Sequence, residues 1–361
     1  RWGEAEPGRG LKVRLEVQDA RTFGGEASVT SNEKNLDLRQ GYVEVKDLFD
    51  KPVDLRAGRF ALSYGDERLV GALDWSNTGR HFDGARLATR GEIWNADLFW
   101  TLAREVSDFN DENHFWGLYS SVKPFSDHVL DFYSLMRDFN DATQVSETDW
   151  LGVSKRGNLS DRTLGTRFKG KASGFDYSAE GAYQFGRKAG QPVRAYGLAV
   201  AGGRTFGSDF KPRLGFEYDY GSGDSSPSDR RIQTFDPLFP TGHAFQGYQD
   251  IFSWKNGSDF KTSLSGQLFA GWSGQVDHHY FILAHRQDAW YDATGGQIVR
   301  DASGRSGREI GHEVDLTFKG KVRDAVGVAF GYAHFFPGSY VKFAAIAAHR
   351  DWAFFQATLD F

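Results

Sequence analysis

The sequence predicts an all-β, antiparallel barrel that crosses a membrane, and three observations predict it. Apolar residues recur at every second position along nearly the whole chain, the period of strands with one apolar face. The segments that show it are about ten residues long, the length a tilted strand needs to span a bilayer. The connections between them alternate short and long, as in up-and-down barrels with tight periplasmic turns and longer outer loops. No run of about 18 apolar residues exists, which rules out a transmembrane helix and leaves a barrel open.

Sixteen strands follow in order. In 11–19, Leu11, Val13, Leu15 and Val17 share one face and Lys12, Arg14, Glu16 and Gln18 the other. Strands near 36–47, 53–62 and 82–90 continue the pattern. In 93–104, Trp94, Ala96, Leu98, Trp100 and Leu102 alternate with Asn95, Asp97 and Thr101. Strands near 115–123, 129–137 and 163–171 come next. In 175–185, Phe175, Tyr177, Ala179, Tyr183 and Phe185 alternate with Asp176, Ser178, Glu180 and Gln184. After 194–206, the strand at 212–221 sets Leu214, Phe216, Tyr218 and Tyr220 against Arg213, Glu217 and Asp219. Strands near 262–273 and 279–290 precede 309–319, where His312, Val314, Leu316 and Phe318 face away from Glu313, Asp315 and Lys319. In 325–335, Val326, Val328, Phe330 and Tyr332 form the apolar face. In 351–361, Ala353, Phe355, Ala357, Leu359 and Phe361 form the last one. No helix is expected, and 1–361 is one barrel domain. Trp94, Trp100, Tyr218 and Tyr332 fit an aromatic girdle.

Short connections are expected at 48–52, 91–92, 124–128, 172–174, 207–211, 274–278 and 320–324. Long ones are expected at 20–35, 63–81, 138–162, 222–261, 291–308 and 336–350, with 107–114 and 186–193 as shorter members of the long set. Pro7-Gly8-Arg9-Gly10 reads as a turn and Arg1–Glu6 as the tail of an earlier strand. Because bacterial barrels have even strand numbers, one further strand is expected before Arg1, about 18 in the mature protein. With Met136 as the single Met, the chain is expected to be a processed product.

Composition excludes other classes. Lys+Arg is 43 against Asp+Glu 48, a net of −5, which excludes a generally basic nucleic-acid binder. Zero Cys excludes a disulfide scaffold or a thiolate metal site. Aromatics at 15 % exclude a disordered chain. Neither GxSxG nor HExxH occurs, and no enzyme is expected.

The segments LDLRQGYVEVKDL at 36–48, LRAGRFALSYGDERLVGALDWSNTGRHFDGARL at 55–87, RLGFEYDYGSGD at 213–224, FDPLFPTGHAFQGYQDIF at 235–252, GHEVDLTF at 311–318 and GYAHFFPGSYV at 331–341 resemble the alginate-export family of outer-membrane porins. The resemblance implies an 18-stranded monomeric barrel in the Gram-negative outer membrane. It implies a pore lined by arginines that passes anionic polysaccharide, and a periplasmic plug loop or export partner. The family's pore arginines match Arg1 and Arg39, and Arg59 lies in the matching LRAGR stretch. Where the exporter has inward arginines before FFPG, this chain has Ala329 and Gly331. An apolar strand ending on Phe361 resembles the signal read by the barrel assembly machinery.

Parity itself points Arg14, Arg39, Arg86, Arg90, Arg137, Arg167 and Lys169 inward. Arg59 shares a face with Val53, Leu55 and Ala57, and its inward place follows from the family match alone. Arginine offers a fixed, always-charged fork for carboxylates. The alternative is a lumen where these cations pair with Asp97, Asp131, Glu180, Glu217 and Glu313 for structure only. An anionic saccharide and small solutes are thus the two solute classes. The long segment 222–261, with Phe235, Asp236, His243 and Tyr248 at its aromatic middle, is expected to fold inward as a constriction. The repeated tetrad Asp108-Phe109-Asn110-Asp111 and Asp138-Phe139-Asn140-Asp141 offers weak Ca²⁺ ligands, or bridges to lipopolysaccharide phosphates. No cofactor is otherwise expected.

Overall fold

The computed structural model describes residues 2–8, 10–20, 36–76, 78–103, 113–145, 154–226, 229–269, 271–323, 325–344 and 349–359, with backbone alone for 2–8 and 141–145. Among the described residues, seventeen strands form one antiparallel sheet. They begin with β1 (Trp2–Gly8), β2 (Leu11–Asp19), β3 (Leu36–Val45), β4 (Val53–Phe60), β5 (Phe82–Arg90), β6 (Trp94–Leu102) and β7 (Asn113–Val122). β8 (His128–Val145), β9 (Arg156–Ala172), β10 (Phe175–Lys188), β11 (Gln191–Thr205), β12 (Arg213–Gly221), β13 (Gly257–Phe269) and β14 (Trp272–Leu283) follow. After a small hairpin, β15 (Ala289–Tyr291) and β16 (Gln297–Arg300), the wall resumes with β17 (Glu309–Arg323), β18 (Val326–Pro337) and β19 (Arg350–Leu359). Each wall strand pairs with its neighbour in the chain, β14 passing directly to β17.

Alternation sets the two faces. On β6 and β7, Leu98, Trp100, Trp116 and Leu118 are exposed while Phe99, Thr101, Phe115 and Tyr119 are buried. The same division continues through Phe132, Leu164, Leu198, Phe216, Phe260, Phe330 and Phe355 on the exposed side. A continuous apolar outer face with a polar inner face is the pattern of an outer-membrane barrel. Trp94, Trp100 and Tyr332 stand on that outer face. The sheet wraps round: the segment between β4 and β5 meets β9 through Asp66, β12 through Arg68, and β19 through Trp75 against Phe354. One loop can reach strands so far apart in the sheet only if the wall curls about it.

Several boundaries differ from the sequence reading. The loops expected at 138–162 and 186–193 are largely strand: β8 runs to Val145, β9 starts at Arg156, and β10 and β11 meet at Ala189–Gly190. Both turn residues have positive φ, 47° and 81°, the geometry of a tight hairpin turn. The turn expected at 274–278 lies inside β14; Gly271, with φ +76°, makes the turn instead. Ser273-Gly274-Gln275 reads as a turn because it lacks apolar residues, yet it simply alternates small and polar side chains. His278 and His279 are therefore mid-strand. One short helix, α1 (Ser339–Phe343), corrects the expectation of none. Phe361 lies outside the described residues.

Candidate functional site

The inner face of β2–β9 carries the cations. Arg14 donates through Nη2 to Glu16 at 2.6 Å. Arg39 sits at a bulge where Glu16 pairs with Gln40 and Val17 with Leu38; it reaches Glu16 at 3.4 Å and also Asp74. Arg56 and Arg86 stand directly opposite across β4 and β5. Arg56 is held by Glu44 at 2.5 Å and lies 4.2 Å over the Tyr42 ring. Arg86 offers Nε to Asp97 at 3.2 Å. Higher in the wall, Arg137 donates twice to Asp161, at 3.0 and 2.6 Å. Arg167 meets Asp131 at 2.6 Å and Asp66 at 3.1 Å, and Lys169 meets Asp66 at 2.6 Å. Arg90, at the turn end of β5, pairs with Asp47 and Asp54 at 2.7 and 2.8 Å.

Every described cation of the expected lining therefore has a carboxylate partner. Their exposure still differs: Arg14, Arg39, Arg86 and Lys169 keep 28, 22, 25 and 50 % of their side-chain surface, whereas Arg137 and Arg167 keep 6 and 8 %. Arg59 is a correction. Alternation from the fully buried Phe60 puts it on the Leu55 and Ala57 face, where both oxygens of Asp83 clasp it at 2.7 and 2.9 Å. It ties β4 to β5 instead of lining the lumen. Arg1 lies outside the described residues.

The inner face of β10–β17 is acidic. Glu180, Asp219, Asp259, Asp277, Glu313 and Asp315 are buried there. Of the partners the sequence suggested, Asp97 and Asp131 do pair with arginines. Glu180 accepts the Tyr133 hydroxyl at 2.9 Å, and Glu313 accepts the Gln249 backbone N–H at 3.0 Å. Glu217 pairs with Arg68.

Two segments fold into the lumen. Residues 61–81 carry Leu69 and Val70, both buried, and Arg68, whose guanidinium donates to Asp219 at 2.8 Å and to Glu217 while lying 3.9 Å from the Phe245 ring centroid. Tyr64 stacks on Phe99 and Tyr119, at 5.6 and 4.7 Å, and Tyr119 stacks on Tyr133 at 5.6 Å. Tyr133 lies over Gly165 of β9, where a Cβ would come within 2.4 Å of the ring. Residues 222–256 cross the same space. Phe235 is wholly buried against Gly197 and Trp254. Asp236 sits 3.4 Å from Arg137 and takes the Leu238 N–H at 3.1 Å. Burial favours the protonated form of Asp236, but Arg137, Lys255 and Lys188 outweigh it and hold the carboxyl well below the usual range. His243 stacks between Trp75 and Tyr248, at 4.3 and 5.1 Å, and bonds Asp250 at 3.0 Å. Tyr248 gives its N–H to Asp315 at 3.2 Å and receives the Thr317 hydroxyl at 2.8 Å.

Of the expected cation ligands, Asp138 is in strand β8 and accepts the Ser160 hydroxyl at 2.6 Å, so its tetrad is not a loop. Asp108 and Asp111 fall outside the described residues, as does the Asp141 side chain. No group of three or more His, Asp or Glu is placed to hold a metal among the described residues. Sequence reasoning missed Arg56, Arg68 and Arg80, the last of which joins the two inward segments by donating to the Gly71 and Pro240 carbonyls at 3.0 and 3.1 Å. Arg56 alternates with Leu55 and Ala57 and was readable by parity. Arg68 and Arg80 lie in an apparent outer loop, where the apolar pair Leu69-Val70 was the signal for an inward fold.

A family model described as alginate export matches residues 2–354. No curated protein gives a significant sequence match. Among solved structures, Pseudomonas aeruginosa OccK10 (OpdN) is similar with a TM-score of 0.60 at 12 % identity, covering 100 % of this chain and 90 % of that one. Pseudomonas aeruginosa OccK1 (OpdK) gives 0.59 at 10 %, covering 99 % and 87 %. OpdK solved with vanillate gives 0.59 at 11 %, covering 99 % and 87 %. At these identities the likeness is one of fold: an outer-membrane porin barrel.

Proposed function

The chain belongs to the alginate-export family of outer-membrane channels, and from that footing we propose that its solute is an anionic polysaccharide or oligosaccharide such as alginate. The observation that carries the reading is the one-sided lumen: partly exposed Arg14, Arg39, Arg86 and Lys169 share the β2–β9 wall. Their carboxylate partners do not use up their donors. Arg86 approaches Asp97 through Nε at 3.2 Å and keeps a quarter of its side-chain surface exposed, which leaves the guanidinium open to a passing carboxylate. A chain of uronates then moves by exchanging such contacts, none tight enough to trap it. On this reading the barrel works as a monomer in lipid and lipopolysaccharide, the assembly machinery reads its last strand through Phe361, and a periplasmic partner delivers the polymer.

The test is a planar-bilayer comparison of wild type with the Arg14→Ala, Arg39→Ala, Arg86→Ala variant. A unit charge about 8 Å from an ion in water changes its energy by about 0.5 kcal/mol. Three together amount to about 1.5 kcal/mol, roughly tenfold in anion preference at low salt. At about 0.15 M, where the Debye length is about 8 Å, roughly a third of that energy survives. Wild type is expected to be anion-selective and blocked by oligouronates, and the variant to lose both. A wild type that prefers cations or ignores oligouronates refutes the reading. Diffusion of small solutes is then the alternative. It is favoured by the pairing of every described lining cation, and by the fold shared with OpdK, which was solved with vanillate.

A further inference from the structure

At the loop end of the barrel, a cavity of about 240 Å³ opens between the tips of β8–β11, residues 222–256 and the β15–β16 hairpin. Its charged groups fall into two sets. The first is satisfied. Arg137 is clasped by Asp161 and approached by Asp236. Asp288 accepts the Asp224 N–H at 2.8 Å, the Thr234 hydroxyl at 2.5 Å, the Ala289 N–H at 2.6 Å and the Tyr291 hydroxyl at 3.0 Å.

The second set is not. Lys188, at the end of β10, Lys255 and Arg300 all line the cavity. None makes an ion pair with a carboxylate among the described residues. Lys255 has only the Gly295 carbonyl at 3.3 Å and the Tyr291 ring at 4.6 Å. Arg300 gives Nε to the Gln287 carbonyl at 2.9 Å. On the other side, Asp224 accepts the Ser226 N–H on Oδ1, and its buried Oδ2 has no donor. The room thus presents cations that no carboxylate clasps at ion-pair distance, although Asp236 acts on Lys188 and Lys255 across it, and a carboxylate oxygen in need of a donor.

We propose that this cavity is a binding subsite for a single hexuronate residue, its carboxylate on Lys188 and Arg300 and a ring hydroxyl donating to Asp224. The match is two-sided. A neutral sugar supplies the hydroxyl and leaves the cations bare. A sulfate fills the cation side and leaves Asp224 Oδ2 without a donor, since an unmet buried acceptor costs about 1–3 kcal/mol. Size allows it, because 240 Å³ is many times the ~10–15 Å³ that a single water needs by the same kind of measure, so the cavity admits a small organic solute. The site lies at the loop end, beyond the exposed arginines of β2–β5, so it is where a chain would be held as it leaves or enters the pore. The subsite rests on the anionic-saccharide reading of the channel and makes it specific to one ring.

The experiment is equilibrium dialysis of the full chain in detergent micelles against glucuronate, glucose and sulfate. Wild type, Lys188→Gln and Lys188→Arg are compared, with wild-type selectivity measured in bilayers in parallel. Lys188 makes no ion pair at contact distance among the described residues, Arg137 and Lys255 still act on Asp236 without it, and heat-modifiable gel migration checks that each variant folds. Glucuronate is expected to bind wild type at least tenfold better than glucose or sulfate. Lys188→Gln should weaken it at least fivefold and Lys188→Arg should restore it. Glucuronate binding that matches glucose or sulfate, or that is unchanged in Lys188→Gln, overturns the subsite. If the subsite fails while anion selectivity and oligouronate block persist, the channel reading stands. If wild type lacks both of those, the channel reading fails whatever the cavity binds.

Discussion

Arg68 is the place where one substitution should open the lumen. It is 6 % exposed, bridges Glu217 and Asp219 on β12, and lies against the Phe245 ring. It therefore joins both inward segments to the wall. Arg68→Met keeps most of the bulk and removes the charge, leaving Asp219, 2 % exposed, without its cation. Removing one partner of a buried pair costs about 3–5 kcal/mol, because the other charge stays behind unpaired. That shifts the balance between docked and undocked segments by about 100- to 3,000-fold. Single-channel recordings of Arg68→Met should show larger, noisier currents, and limited proteolysis should cut within 61–81 or 222–256. The triple variant Arg68→Met, Glu217→Gln, Asp219→Asn removes the stranded charges and should recover most of the quiet, protected state. A single variant as quiet and protease-resistant as wild type, or a triple variant no better than the single, would refute the argument.

Leu98 is central in β6 and 57 % exposed on the outer face. Leu98→Arg should cost about 2–4 kcal/mol in a lipid bilayer, read as a lower unfolding midpoint in urea; an unchanged midpoint would mean that this face does not meet lipid. Asp224 is pushed up to about 6 by burial, with Asp288 adding to the effect and the Ser226 N–H opposing it. Unfolded, an Asp titrates near 3.9, so the folded segment holds its proton longer and loses stability as pH rises from about 4 through 6. Protease resistance of residues 222–256 should therefore grow on acidification from pH 7 to 5, and Asp224→Asn should reduce that slope.

Much of the wall is readable in the sequence because lipid outside and water inside impose the period-two pattern. Trp100 and Leu118 on one face, Thr101 and Tyr119 on the other, are a direct consequence. The pattern does not mark where a strand leaves the bilayer. Beyond that level the period fades, and β9 and β10 run on through Arg156–Ser160 and Arg187–Lys188, where the lone apolar Leu159 sets up no alternation to announce it. Contacts across the lumen are also silent, since Arg68 and Asp219 are 151 residues apart and no local rule couples them. Parity found the lining cations, yet their carboxylate partners depend on register. Arg86 meets Asp97 from β6 and Arg137 meets Asp161 from β9, so pairing could be anticipated only as a class.

The lumen is chemically two-sided, and the 222–256 segment decides which side water meets. Its backbone and amide donors are spent on the acidic wall: Gln249 N–H on Glu313 at 3.0 Å, Tyr248 N–H on Asp315 at 3.2 Å, and the Gln246 amide on Asp219 at 3.2 Å. Uncharged donors of this kind let carboxylates stay buried without bringing a cation to each. The aromatic stack of Trp75, His243 and Tyr248 lies over the same region. Across the lumen, Arg14, Arg39 and Arg86 keep about a quarter of their side-chain surface. Each of these arginines meets a carboxylate of its own, Glu16, Asp74 or Asp97, so the wall beside them carries paired charges in a chain that is net −5 as a whole. Local field, not net charge, governs what enters a confined channel. The inward segment therefore acts as more than an obstruction: it covers carboxylates of β12 and β17 that would otherwise face the lumen, which is what the path proposed above for an anionic chain needs.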